Sequence, residues 1–401
     1  MEFRLQPAAP RKKSCYNRPV KIVVALDKFK GSLTAARACA IVGNALHNAH
    51  PSAEIILKPM ADGGDGTAAV IHAALGGEWI EHPVTGPLPA IRNTARYLWL
   101  ADQHLAVVEM AAASGLALLR PDQRDPLRTT TLGTGELIQA AQQRGAQKIL
   151  LGVGGSATVD GGVGAAMALG WKFLDAHGQP VGLGGGELAR IATIIPGTVK
   201  TQIEVLCDVD NPLCGEHGSA RTFGPQKGAT PAVVEQLEAG LRHLAQLVAG
   251  GASVPASGEQ PPPRGDARPT ARVHEIPGAG AAGGLAFGAA AFLGAQLVSG
   301  IEAVMAVTRF EESLRGADWV ITGEGCFDEQ SLRGKVVAGV LRLARQQGVR
   351  VAVLAGGVRI AKPVGIEIAL ATKPDDLPLD QALARAEELL AERARELAEQ
   401  L

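Results

Sequence analysis

The chain has 401 residues, more than one ordinary core holds, and 46% of them are hydrophobic, enough for two. No uninterrupted apolar run reaches the roughly 18 residues of a membrane helix, and 39 basic against 40 acidic residues leave a net charge of −1, so nothing drives the chain toward nucleic acid or a membrane surface. The five cysteines are widely spaced without a CxxC, which argues against zinc or a disulfide framework and for a reducing, cytoplasmic setting.

Residues 1–19 carry basic residues but no apolar run, and read as a flexible tail and not as a secretory signal. "KIVVALD" (21–27) is an apolar run ending in a charge, the mark of a buried parallel strand. A helix follows, with Ser32 or Thr34 as its cap. "AEIILKPM" (53–60) is the next strand and "TAAVIHAALG" (67–76) the next helix. Strand and helix in alternation predict a three-layer α/β unit with a parallel sheet. The middle differs. "ARYLWL" (95–100) and "HLAVVEMA" (104–111) read as a hairpin, 133–146 as a helix, "KILLGVGG" (148–155) and "TQIEVLCDVDNPL" (201–213) as strands, and 231–249 as an amphipathic helix. Residues 250–271 are rich in Gly and Pro and predict a mobile loop. Alternation then resumes: strand at 317–325, helix at 335–348, strand at 349–357 and a terminal amphipathic helix. The two ends therefore form one discontinuous α/β domain, 20–77 plus 291–401, with a second α/β domain inserted at 78–290.

Buried strands run into glycines and carboxylates at "ALDKFKGS" (25–32), "PMADGGDGT" (59–67), "LLGVGGSATVDGG" (150–162) and "VITGEGCFDEQSLRGK" (320–335), and "LCDVDNPLCG" (206–215) adds a fifth strand end. Read alone, Asp62 and Asp65 among glycines make a turn that caps the helix at Thr67. Five such ends together point to a site, because open α/β sheets bind ligands outside the carboxyl ends of their strands. Glycine loops hold phosphate oxygens through backbone amides, and Lys28, Lys30 and Lys335 add positive charge. Carboxylates beside phosphate need a counter-ion, and Mg²⁺ binds one or two carboxylates plus phosphates. The composition suits phosphoryl transfer. No GxxxxGK[ST] occurs, and "GAGAAG" (278–283), although it matches GxGxxG, reads better as a loop opening a packed helix than as a dinucleotide cradle.

In this order "KIVVALDKFKGSLTA", "KPMADGGDGT", "TTLGTGELI", "GVGGSATVDGGVGAAMALG", "CDVDNPLCGEHGSARTFGPQKGAT", "PGAGAAGGLAFG" and "VITGEGCFDEQSLRGK" resemble the bacterial type-1 glycerate kinase family, over residues 21 to 357. The resemblance implies ATP-dependent phosphorylation of D-glycerate, usually to 2-phosphoglycerate, with a divalent metal. It also implies a flavodoxin-like domain, an inserted restriction-endonuclease-like domain, and in-line transfer in the cleft between them. On this reading Asp62, Asp160, Asp208 and Lys28 are catalytic, and Asp62, Asp208 and Glu324 hold Mg²⁺. Gly154, Gly155, Ser156, Gly323, Gly325 and Lys335 face nucleotide phosphates, and Lys30, Ser32, Asp65, Arg221 and Lys227 face substrate. Which carboxylate is base and which is metal ligand stays open, as do the choice between the C2 and C3 hydroxyls, a non-catalytic binding protein of the same fold, and association into a homo-oligomer. The chain departs from the family in lacking a proline after Gly334 and Lys335, and in the length of 250–271.

Overall fold

The computed structural model describes residues 18–250, 273–332, 335–360 and 364–401. The expected tail up to residue 17, all but Gly250 of the Gly/Pro-rich stretch, and Gly334 lie outside the described residues.

The chain begins with β1 (Lys21–Leu26) and β2 (Glu54–Leu57), joined by the helix Ala35–Ala49. Thr34 caps that helix, its hydroxyl accepting from the Arg37 amide at 3.2 Å. The helix Thr67–Leu75 then carries the chain to β3 (Glu78–Thr85), β4 (Arg92–Leu100), β5 (Leu105–Glu109) and β6 (Lys148–Gly152). After the short antiparallel pair β7 (Lys172–Leu174) and β8 (Thr193–Ile195) come β9 (Gln202–Leu206) and β10 (Gln296–Val298). The helix Gly300–Val307 leads back to β11 (Trp319–Gly323), β12 (Cys326–Phe327), β13 (Arg350–Ala355), β14 (Gly357–Val358) and β15 (Ile368–Ala371).

The first sheet runs β15-β13-β11-β1-β2, parallel throughout. Read outward from β2 this is the flavodoxin-like order 2-1-3-4-5. β1 is buried on both faces: Val23 and Ala25 enter one core, and Ile22, Val24 and Leu26 the other. That double burial is why its sequence is an unbroken apolar run. The chain departs to either side of β1, so the switch point lies between β1 and β11, and ligands bind at the carboxyl ends of such strands.

The second sheet runs β10-β9-β6-β5-β4-β3, with β5, β6, β9 and β10 parallel and β3 and β4 antiparallel. The expected 95–111 hairpin is β4 and β5. The sequence reading passed over β3, whose Pro83 is tolerated because β3 lies at the sheet edge. The return to the first unit, expected at 291, comes later, since β10 pairs with β9. The terminal helix is two helices, Leu379–Ala384 and Ala386–Ala398. "GAGAAG" is no phosphate cradle. Ala282, Gly283 and Gly284 take left-handed φ of 54°, 71° and 83° inside the helix Ala281–Leu293, and a methyl on Gly283 would overlap the Thr158 carbonyl. No helix among the described residues is long and apolar enough to cross a membrane.

The two sheets meet through an apolar seam. Ala68 and Ile71 of Thr67–Leu75 pack with Leu98, Leu100, Val107, Leu150 and Leu206 of the second sheet, and Ala303 and Val307 join them. At one end of the seam the backbones touch. A methyl on Gly63 would lie 2.8 Å from Leu206 Cβ and 2.9 Å from Gly300 Cα, and one on Gly300 would overlap the Asp62 carbonyl. Overpacking of this kind costs about 1–3 kcal/mol. Gly300→Ala is therefore expected to lower the melting temperature by a few degrees and to reduce turnover, because it displaces Asp62. A variant that melts and turns over like its parent shows that the seam does not depend on this contact.

Candidate active site

The loop Ala61–Gly66 stands where the carboxyl ends of both sheets meet. Asp62 Oδ1 accepts from the Gly64 amide at 3.1 Å, and Lys28, just beyond β1, reaches across to donate from Nζ to the Asp65 carbonyl at 2.5 Å. From β5, half-buried Glu109 accepts from the amides of Gly66 (2.8 Å) and Ala68 (3.3 Å), at the start of Thr67–Leu75. Burial raises its pKa, those two amides pull it back, and the Asp65 charge raises it. Glu109 thus fixes the loop from beneath, a role no sequence motif signalled.

Around the loop four carboxylates converge. Asp27 follows β1 and is 7% exposed; its Oδ1 accepts from the Lys28 amide at 2.7 Å and its own amide donates to the Gly323 carbonyl at 2.9 Å. Burial pushes Asp27 up to about 7, Asp62 adds to the rise, Lys28 opposes it and Glu324 reinforces it. Asp208 follows β9, and its Oδ1 accepts from the Gly300 amide at 3.0 Å, at the start of Gly300–Val307. Burial raises Asp208 to about 6; the Ser299 hydroxyl and the Gly300 amide oppose this, and Asp62 adds to it. Glu324 follows β11 and is raised by burial, lowered by Ser331 and Lys335, and raised by Asp328 and Asp62. Asp62 is the shared neighbour of the other three. Two oxygens here, Asp208 Oδ2 and Glu324 Oε1, are buried without a hydrogen-bond partner.

The glycine segments border this cluster. Gly154 and Gly155, beyond β6, lie against Asp65: a methyl on Gly155 would sit 2.7 Å from Asp65 Oδ1. The carbonyls of Glu324 and Gly325 accept from the amides of Gly356 (3.1 Å) and Gly357 (3.2 Å), holding the segment between the ends of β1 and β13. Ser32 closes a turn, donating from Oγ to the Phe29 carbonyl at 3.1 Å, and exposed Lys30 lies in that turn beside Gly325.

Three expected residues lie apart. Arg221 is engaged in a two-pronged ion pair with Glu235. Asp160 is 1% exposed and surrounded by donors: Oδ2 accepts from the Thr131 amide (2.7 Å), the Thr131 hydroxyl (2.9 Å), the Thr130 hydroxyl and the Gly164 amide (both 3.4 Å), and Oδ1 accepts from the Gly162 amide (3.2 Å). A carboxylate so enclosed cannot touch substrate, and it joins the start of Leu132–Gln143 to the 160–164 turn. Lys227 is also 1% exposed; Nζ donates to Ser156 Oγ and the Thr158 carbonyl, each at 2.7 Å. Burial opposes both charges. It raises Asp160, against those hydrogen bonds, and pulls Lys227 down to about 7, against the pull of Asp160.

Comparison with known proteins shows the family. The family model described as the glycerate kinase family matches residues 22–401. The chain belongs to that family. It is 42% identical to a glycerate kinase of Halalkalibacterium halodurans over 94% of this chain and 97% of that one. It is 42% identical to a glycerate 2-kinase of Escherichia coli K12 over 82% of each. A crystal structure from Salmonella typhimurium LT2, provisionally named glycerate kinase 2, superposes with a TM-score of 0.81 at 40% identity, over 95% of this chain and 98% of that one. Membership of the glycerate kinase family makes the chain a kinase.

Two outcomes follow from these environments. Asp27 and Asp208 titrate near 7 and 6 in the folded chain but near 4 when unfolded. Between those values the folded state holds more protons, so stability falls as pH rises through that window. In metal-free buffer Asp27→Asn and Asp208→Asn should therefore lose less melting temperature than the parent on going from about pH 5 to about pH 8. An unchanged slope would place both groups in ordinary solvent. Asp160→Asn turns an NH₂ toward donors at one end or the other, and each donor left unpaired costs about 1–3 kcal/mol. It should melt several degrees lower; a parent-like melt would mean that the enclosure does not depend on the charge.

Proposed function

We propose that the protein transfers the γ-phosphoryl group of ATP to the C2 hydroxyl of D-glycerate, with Mg²⁺, in the cleft where the carboxyl ends of the two sheets meet. The observation that carries this reading is the convergence of Asp27, Asp62, Asp208 and Glu324 at that place, two of them with buried, unpartnered oxygens. The names of the relatives support the substrate.

The residues present fit Mg²⁺. Among the described residues no group of three or more His, Cys, Asp or Glu side chains is arranged to hold a metal by itself. Mg²⁺ does not need one, because it takes one or two carboxylates and completes its shell with phosphate oxygens and water. Asp62 and Asp208 would hold it, with Glu324 beside them. When bound, it supplies positive charge against the phosphate oxygens.

The chain's own groups do the rest. Lys28 and Lys335 sit among the carboxylates as fixed cations for phosphate oxygens. Asp27, buried and poised near neutrality, accepts the proton of the glycerate hydroxyl as that oxygen attacks. The free cysteines Cys39, Cys207, Cys214 and Cys326 accord with a cytoplasmic location.

Purified protein with D-glycerate, ATP and Mg²⁺ should release ADP, and phosphorus NMR should show 2-phosphoglycerate. A 3-phosphoglycerate signal would move the attack to C3, and folded protein without ADP release would overturn the reading. Asp27→Asn should lose roughly 10²–10⁴ in kcat with its fold intact. A kcat within about threefold of the parent would remove Asp27 from the chemistry.

A further inference from the structure

Ser156 stands at the outer end of a buried polar chain. Its backbone is pinned: Gly115 and Ser156 form an antiparallel bridge, the Leu116 amide donates to the Gly155 carbonyl at 2.8 Å, and the Ala157 amide to the Ser114 carbonyl at 3.0 Å. Its side chain is fixed from behind by Lys227, which also holds the Thr158 carbonyl. Behind Lys227 lies the charge of Asp160, itself held only by donors. The Asp160 charge favours the ammonium form of Lys227, and an ammonium offers protons alone, so in that form Ser156 Oγ is the acceptor in its bond to Lys227. The hydroxyl proton must then go elsewhere, and no acceptor for it stands among the described residues. Ser156 is half-buried and follows Gly154 and Gly155, which border the Asp65 side of the cleft.

We propose that Lys227 is a positioning residue that turns Ser156 into an obligate hydrogen-bond donor, aimed into the cleft at an anionic oxygen of bound substrate. Lys227 was expected to meet that anion itself; it acts one residue removed, and Asp160 steadies it from the far side. The inference rests on the kinase reading. The shared chemistry is an oxyanion, and two substrates carry one, glycerate as its carboxylate and ATP as its phosphates.

The test is steady-state kinetics with each substrate varied in turn, on the full chain, for Ser156→Ala, Ser156→Thr, Lys227→Met, Lys227→Arg and the double variant Ser156→Ala/Lys227→Met, with a thermal melt of each. A hydrogen bond to a charged group corresponds to a factor of about 10–100. Ser156→Ala should raise KM by that factor for one substrate and leave the other within about twofold. A rise for glycerate assigns the carboxylate, and a rise for ATP assigns the phosphates. Ser156→Thr, which keeps the hydroxyl, should restore most of the affinity. Lys227→Met should raise the same KM, Lys227→Arg less so, and the double variant should be no worse than the worse single. Ser156→Ala with both KM values near the parent's overturns the proposal while the kinase reading stands, and it decides even if Lys227→Met fails to fold. Additive effects in the double variant overturn the coupling of Lys227 to Ser156. A folded parent without turnover overturns the kinase reading and, with it, the inference.

Discussion

Like charges held close together are the constraint on which this structure depends. Burial raises Asp27, Asp208 and Glu324, and the charge of Asp62 adds to the rise of each. Such a cluster is unfavourable by itself, and the surrounding elements offset it. Lys28 lowers Asp27 and Lys335 lowers Glu324. The helices Thr67–Leu75 and Gly300–Val307 both begin here, and their first amides donate to Glu109 and Asp208. The positive ends of two helix dipoles therefore face the negative charge. The offset is incomplete, as the buried lone oxygens of Asp208 and Glu324 show. What remains is an unfilled demand for positive charge, which on the proposed reading a bound Mg²⁺ would meet.

The arrangement also explains why the two sheets meet at this place. A parallel sheet delivers its chemistry at one end only. β1 and β11 contribute Asp27 and Glu324, and β9 contributes Asp208. Neither sheet alone assembles the cluster. The seam that joins them combines apolar packing over most of its length with glycine-to-backbone contact at the end next to the carboxylates.

Much of this was legible in the sequence, because doubly buried strands and capped helices leave local patterns. "KIVVAL", "KILLG" and "RVAVLA" are apolar runs and are β1, β6 and β13. The loops at 25–32, 59–67, 150–162, 206–215 and 320–335, dense in Gly and charged residues, pointed to a site at the strand ends. The pattern did not separate carboxylates that look alike. Asp62 and Asp160 each sit beside paired glycines, yet Asp62 stands at the seam, whereas Asp160 is enclosed by Thr130 and Thr131 from thirty residues earlier in the chain. Asp27 was visible as the charge ending the first strand, but its raised pKa comes first from burial and then from Asp62, neither of which is legible locally. Lys227 and Arg221 lie in one short segment, and only the fold shows one turned inward to Ser156 and the other outward to Glu235. Glu109 carried no signal, because its role depends on a loop of the other sheet, and β3 was passed over as an edge strand containing Pro83.

The contact between Gly63 and Gly300 has a topological consequence. The chain leaves the first sheet at one of these residues and comes back past the other, so everything between them is a ring closed at its neck. Residues added to or lost from the far circumference of a ring do not move its neck. The helix Pro231–Ala249 lies on that circumference, far along the chain from either glycine. A single methyl at the neck, by contrast, strains the closure directly.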